Sequence, residues 1–410
     1  MVKMEYFFAQ DKIFEQGRAA RAGAQRVLVI GGANTLIDGA ERPRNHGINV
    51  PKCGRCDNHM KGSRSMQQIT TIGLDLAKQV FQVHGAEADG SPVVSRKLRR
   101  ADVLGFFKKL SPCLVGMEAC GGAHFWAREI AKLGHDVRLI PPSYVKPFVK
   151  RGKTDAADAE AICEAVIRKT MRFVPVKSAN QQAAAMVLKT RELLVRQRTQ
   201  VINALRAHLS ELGIIAGTGP AKTATLIEIV RDEEDARLPP AARFALSELA
   251  NQIEWTRKRI DKLERAIVIE AKRDEDMRRL VTIPGVGVII AASIKALVPD
   301  PNGFKSGRHF AAWLGLTPRS HSSGGRERLG RISKMGNSTL RSLLILGATS
   351  VLKHARHRTD ASTWLAAILA RRPFKVVATA LANKMARIIW ALLTKGGTYK
   401  SGLAIGTANA

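Results

Sequence analysis

The chain has 410 residues, with 66 Lys and Arg against 35 Asp and Glu, a formal charge of +31. Its 45% hydrophobic and 25% charged content excludes wholesale disorder and a fibrous repeat. The length allows two or three domains, and no run of about 18 apolar residues suggests a transmembrane helix. So basic a surface asks for a polyanionic partner, nucleic acid first and an anionic membrane surface second.

Residues 1–65 differ from the rest. Arg26-Val-Leu-Val-Ile-Gly-Gly32 is strand-like, but no full nucleotide fingerprint follows it. Cys53 and Cys56, with His59 nearby, hint at metal, yet a zinc site needs four ligands and no second pair follows. The five cysteines (also Cys113, Cys120 and Cys163) are odd in number and widely spaced, which reads as reduced thiols. With no basic-then-apolar leader, the expectation is a cytoplasmic, polyanion-binding protein. Met66 opens a cleanly patterned segment, so residues 1–65 read either as an accessory extension or as a product of start-codon choice.

From residue 69 the pattern predicts a mixed α/β domain, bounded at 66–175. Residues 69–75 are apolar and β-branched and predict a strand. Residues 80–85 and 92–97 follow at hairpin spacing around the turn signal Asp89-Gly90. Residues 101–110 predict a helix, 113–118 a buried strand, 123–133 a helix and 137–140 a strand stopped by Pro141-Pro142. Residues 154–168 predict a helix with Thr154 as its N-cap. Three strands, helix, strand, helix, strand, helix is the order of a ribonuclease-H-like fold.

Residues 178–213 and 240–279 carry long helical patterns almost free of Gly and Pro. Leu188, Leu193, Leu194, Val201, Leu205, Leu209 and Leu212 recur in the first, and Leu246, Leu249, Ile253, Ile260, Leu263 and Ile267 in the second. That pattern predicts a coiled coil or an antiparallel helix pair over 176–279, as a plain bundle or as a dimerisation arm. Between them, residues 217–240 hold turns and the acidic cluster Asp232-Glu233-Glu234-Asp235. Residues 280–410 predict a third, mostly helical region. After residue 300 there are 18 Lys and Arg against two acids, Glu327 and Asp360, and that concentration favours a phosphate-binding face.

Four acids stand at informative places. Asp75 closes the first strand, Glu118 closes the later buried one, and Asp155 and Asp158 share one face at a helix start. Acids at the ends of apolar strands are costly unless paired or metal-bound. Hard oxygen donors suit Mg²⁺, and paired Mg²⁺ ions stabilise the attacking and leaving oxygens of a phosphodiester. Read singly, Asp75 is a strand-end cap, and Asp155 and Asp158 complement a helix dipole.

In the basic region, Ile283-Pro-Gly-Val-Gly287 precedes an apolar helix. Its Gly285 and Gly287 suit a helix-hairpin-helix-like phosphate turn, or an ordinary connection. Leu314-Gly-Leu-Thr-Pro-Arg319 leads into Ser320-His-Ser-Ser-Gly-Gly325, and Arg326, Arg328, Arg331 and Lys334 follow, with Asn337 or Ser338 as a helix cap. A serine among these cations suits a nucleophile; composition alone favours a solvated Ser/Gly loop.

Taken together, Gly73-Leu-Asp-Leu-Ala-Lys78, Met117-Glu-Ala-Cys-Gly121, Lys153-Thr-Asp-Ala-Ala-Asp158, Ile283-Pro-Gly-Val-Gly287, Leu314-Gly-Leu-Thr-Pro-Arg319 and Ser333-Lys-Met-Gly-Asn337 resemble the transposases of bacterial insertion-sequence family 110, subgroup 1111. The resemblance runs from Met66 to about Lys395. It implies a Holliday-junction-resolvase-like domain whose Asp-Glu-Asp-Asp metal site falls on Asp75, Glu118, Asp155 and Asp158. It further implies a catalytic serine directly before a glycine, here Ser323, beside Ser322. It also implies DNA recombination through a phosphoserine link, a guide RNA pairing with donor and target DNA, and dimers that pair into tetramers, the acids of one subunit meeting the serine of another. Two other readings stay beside it: a junction-resolving nuclease of water-attack type, and a non-catalytic nucleic-acid-binding remnant.

Overall fold

Residues 71–99 fold as an antiparallel meander of β1 (Thr71–Asp75), β2 (Val80–Ala86) and β3 (Pro92–Arg99). Gly90 supplies a left-handed φ of 87° at the turn before β3, a conformation glycine adopts without steric cost. A 3-10 turn and α1 (Val103–Lys108) lead to β4 (Leu114–Glu118), α2 (Ala123–Ala131) and β5 (Asp136–Ile140). Strand β4 runs parallel to β1, and β5 parallel to β4, which completes a five-stranded mixed sheet in the order β3-β2-β1-β4-β5.

The structure, a computed structural model, describes residues 69–150, 152, 154–355 and 363–400. Cys53, Cys56, His59 and the whole of residues 1–65 lie outside them. The described residues fall within one unit of the chain, Lys61–Ala410.

Alternation along the strands sends Ile72, Leu74, Phe81, Val83, Val115 and Met117 to one face, where Phe107 of α1 and Trp126 and Ile130 of α2 cover them. Burial of each such side chain contributes about 1.5–3 kcal/mol. The opposite face takes α3 (Pro142–Val145) and α4 (Asp155–Val166). Thr154 is the N-cap of α4, its hydroxyl accepting from the Ala157 N–H at 3.2 Å, a bond worth about 1 kcal/mol.

A capping box of Ser178 and Gln181 opens α5 (Ala179–Glu211). After α6 (Pro220–Arg231), α7 (Pro240–Arg273) returns along α5. The two long helices pack antiparallel within the chain: Leu188 lies with Ile267 and Ala271, Arg191 pairs with Glu264, and Leu205 and Leu209 meet Leu246, Ala250 and Ile253. Residues 217–240, expected to be turns, contain α6. Pro220 starts this helix, and Leu226, Ile227 and Val230 cover the far end of the pair.

At its near end the pair enters a third core, built with α8 (Glu275–Leu280), α9 (Val288–Leu297), α10 (Gly307–Trp313), α11 (Ser338–Ala355) and α13 (Phe374–Lys395). The helix α12 (Thr363–Arg371) packs beside α11 and α13 through Leu365. The rest of this region is a two-stranded ribbon, β6 (Pro318–Ser320) with β7 (Leu329–Ile332). Helix α13 corrects one expectation, since among the described residues it is long and apolar enough to cross a membrane. Lys384 and Arg387 interrupt its sequence and hid that stretch; in the fold it buries Val377, Ala382, Met385 and Ile389 in the protein.

Candidate carboxylate site and serine ribbon

The parallel pairing of β1 and β4 ends with Leu74 opposite Met117. The next residue on each strand is an acid, so Asp75 and Glu118 leave neighbouring strands at the same, carboxyl, end of the sheet. Both are half-buried. The Cys120 thiol just beyond β4 registers both: partial burial raises its pKa most, then the negative charges of Glu118 and Asp75.

Helix α4 brings the other two acids. Cys163 lies over Thr71, donating to its carbonyl at 3.9 Å, and Ala159 lies over Gly73. The helix therefore runs against the direction of β1, and its first turn, with Asp155 and Asp158, overhangs the Asp75 end. Asp158 is half-buried and Asp155 exposed. The approach depends on Gly73 and Gly116, where any Cβ would collide with α4.

Oxygen donors from two strand ends and one helix turn suit a hard divalent cation in kind. Among the described residues, no three His, Cys, Asp or Glu side chains are drawn together tightly enough to hold an ion.

A neighbouring cluster was not anticipated. Lys150 Nζ lies 2.7 Å from both Glu160 and Glu164 of α4, and these bonds hold its pKa above the ordinary lysine value. His84 on β2 faces the same group. Burial lowers its pKa most, opposed by Glu160 and Glu164 and aided by Lys150. The four-residue spacing of Glu160 and Glu164 was a readable signal; the pairing of His84 with Gly73 across the sheet was not.

The segment read from composition as a Ser/Gly loop is an exposed hairpin. Ser323 begins its turn, accepting from the Arg326 N–H at 3.1 Å. Gly324 and Gly325 follow with φ of 56° and 73°, the two left-handed positions of a type I′ turn. The Ser320 and Ser322 hydroxyls bond each other at 2.8 Å. The Ser323 hydroxyl has no hydrogen-bond partner among the described residues, and all three serines are exposed. Arg326, Arg328, Arg331 and Lys334 are exposed along the ribbon and its exit. Arg319 instead donates through two nitrogens to the Ser333 carbonyl, at 3.2 and 2.9 Å.

The ribbon's root is fixed. Arg341 donates from one nitrogen to Leu314 O at 3.0 Å and Met335 O at 2.9 Å, and Asn337 caps α11 by accepting from the Leu340 N–H. Gly285 packs against Gly347 of α11, where a Cβ would meet the Gly347 carbonyl at 2.7 Å. Gly287 is exposed at the N-terminus of α9. The ribbon stands on the third core and the carboxylates on the sheet, two cores with no side chain in common.

Two family models match the chain. One, described as a transposase, of the Asp-Glu-Asp-Asp IS110 type, covers residues 72–214. The other, the transposase IS116/IS110/IS902 family, covers residues 277–363. The chain is 52% identical over 336 residues to a probable family 20 transposase of Pseudomonas aeruginosa, spanning 82% of this chain and 99% of that protein. It is 46% identical over 391 residues to the putative transposase y4pF/y4sB of Sinorhizobium fredii, spanning 92% and 96%. That span is too long to lie within residues 66–410 and takes in part of residues 1–65. The chain is also 41% identical over 343 residues to the transposase for insertion sequence element IS1111A of Coxiella burnetii, spanning 83% and 94%.

Proposed function

The chain belongs to the IS116/IS110/IS902 family of transposases, enzymes of DNA transposition, and on that premise we propose that it cuts and rejoins DNA with Ser323 as nucleophile and Asp75, Glu118, Asp155 and Asp158 as the metal-binding acids. The strand order β3-β2-β1-β4-β5 supports a ribonuclease-H-like reading of the first domain. Divalent-cation dependence goes with the Asp-Glu-Asp-Asp family; the choice of Mg²⁺ is part of the proposal and rests on the all-oxygen donor set.

The observation that carries the serine assignment is the difference between neighbours. Ser320 and Ser322 engage each other, whereas Ser323 sits at the start of the hairpin turn with its hydroxyl disengaged among the described residues. In the reaction, Ser323 Oγ gives up its proton and forms a bond to the scissile phosphorus, and the bond from phosphorus to the leaving deoxyribose oxygen breaks. That oxygen takes up a proton. Attack by the hydroxyl of another DNA end reverses the exchange and frees the serine, so a phosphodiester is conserved throughout. Exposed Arg326, Arg328 and Arg331 neutralise phosphate charge beside the turn, Lys334 does so at the ribbon's exit, and Gly287 offers its backbone at a helix start. When bound, the metal would polarise the scissile phosphate.

We further propose a guide RNA as the source of target choice, supported by the large basic excess after residue 300, and subunits paired so that the serine of one serves the acids of another, supported by their separate cores. The test is cleavage of a nicked duplex with Mg²⁺ and trapping of protein-linked DNA. Ser323→Ala and Asp75→Asn are each expected to abolish the linked species. Cleavage by Ser323→Ala at the parent rate would instead identify a water-attack nuclease.

A further inference from the structure

Helix α7 has two apolar stripes. Leu246, Ala250, Ile253, Ile260, Ile267 and Ala271 are buried against α5 and the third core. At about 100° per residue, Phe244, Trp255 and Ile269 fall directly opposite, and they are 77%, 53% and 52% exposed.

From Trp255 to Arg273 this outer face carries Lys258, Arg259, Lys262, Arg265 and Arg273, all exposed. No acid lies among them. The acids of the same stretch lie off its centre line: Glu264 pairs with Arg191 of α5, while the exposed Asp261 and Glu270 border the face, about a quarter turn to either side of its centre. Just before the stretch, Glu254 pairs with Arg231 of α6. Arg259 stacks over the Trp255 ring, 5.1 Å from its centre. Beyond Trp255, toward the tip, the charge reverses with Glu248 and the cluster Asp232-Glu233-Glu234-Asp235.

We infer that this face is a second, sequence-independent DNA contact, a phosphate track separate from the serine ribbon. Its length is about 27 Å, which matches roughly eight base pairs of duplex. Five exposed cations at successive turns, bordered by only Asp261 and Glu270, suit a phosphate backbone. A second copy docked in register would bring an identical cationic face; one shifted to bring its acidic tip is distinguished from DNA binding by a change in subunit number. The acidic tip ends the track near Trp255. The inference takes DNA as the enzyme's substrate and does not rest on the identity of the nucleophile.

The test measures binding of the full-length protein to a short duplex of arbitrary sequence across a salt series. Lys258→Gln, Lys262→Gln and Arg265→Gln are combined in one variant. Lys108→Gln, Lys109→Gln and Lys222→Gln, exposed positions away from the face, form a control that loses equal charge. The face variant is expected to bind about ten-fold more weakly at low salt, with its slope against salt reduced by about 2 to 3, near 0.9 per lost phosphate contact. The control is expected to keep the parent slope. An unchanged slope in the face variant, an equal loss in the control, a loss confined to RNA duplex, or a change in subunit number without a change in DNA affinity would overturn the inference.

Discussion

Gly73 and Gly116 face each other across β1 and β4, and α4 lies against both. A Cβ on Gly73 would stand 2.0 Å from Ala159 O and 2.5 Å from Cys163 N; one on Gly116 would stand 2.8 Å from Val166 Cβ. The backbone of α4 therefore rests directly on the sheet, which sets how far its first turn reaches toward Asp75.

Gly73→Ala is expected to lift α4 and cost about 3 kcal/mol, the upper range for overpacking, because the obstructing atoms are backbone. Denaturant unfolding measures the loss. A change below about 1 kcal/mol would show that α4 yields without strain.

Much of this arrangement was legible in the sequence. Apolar β-branched runs with an acid last fixed β1 and β4 and put Asp75 and Glu118 at strand ends, and Thr154 announced the start of α4. The closeness of Asp75 to Glu118 was not legible, because it depends on which strands become neighbours. Residues 217–240 misled because a Gly-Pro start and an acidic end mask the helical spacing of Leu226, Ile227 and Val230. The serine hairpin was missed because its strands are three and four residues long and carry no alternating apolar face.

The join between sheet and helical pair holds an acid-sensitive contact. His124 Nδ1 accepts from the Lys177 N–H at 3.1 Å, and Arg128 donates to the Lys177 carbonyl at 2.6 Å. Burial first, then the charges of Lys177 and Arg128, press the His124 pKa down to about 4. The unfolded chain takes up this proton near the ordinary value of about 6.5, the folded chain only near 4. The contribution to stability is thus complete above about 6.5 and is lost as pH falls toward 4. His124→Asn, which keeps an acceptor without the titration, is expected to flatten the fall in Tm across that window; parallel curves would contradict the assignment.

Arg341 ties together the two sides of the ribbon's root through Leu314 and Met335. Arg341→Met leaves both carbonyls without that donor and is expected to cost about 2 kcal/mol, as for hydrogen bonds from a charged group. Trypsin cleavage at Arg326 and Arg328 should accelerate, and Arg341→Lys should restore part of the protection. Unchanged cleavage in Arg341→Met would mean that the root holds without it.

A hydroxyl at the ribbon's turn that joins DNA through phosphorus leaves a phosphate bond on one serine. The most direct measurement is to trap the protein-linked DNA, digest it, and locate the phosphate by fragmentation mass spectrometry of the peptide from Ser320 to Arg326. Attachment is expected at Ser323. Attachment at Ser320 or Ser322, or DNA cut by active protein with no linked species, would contradict it.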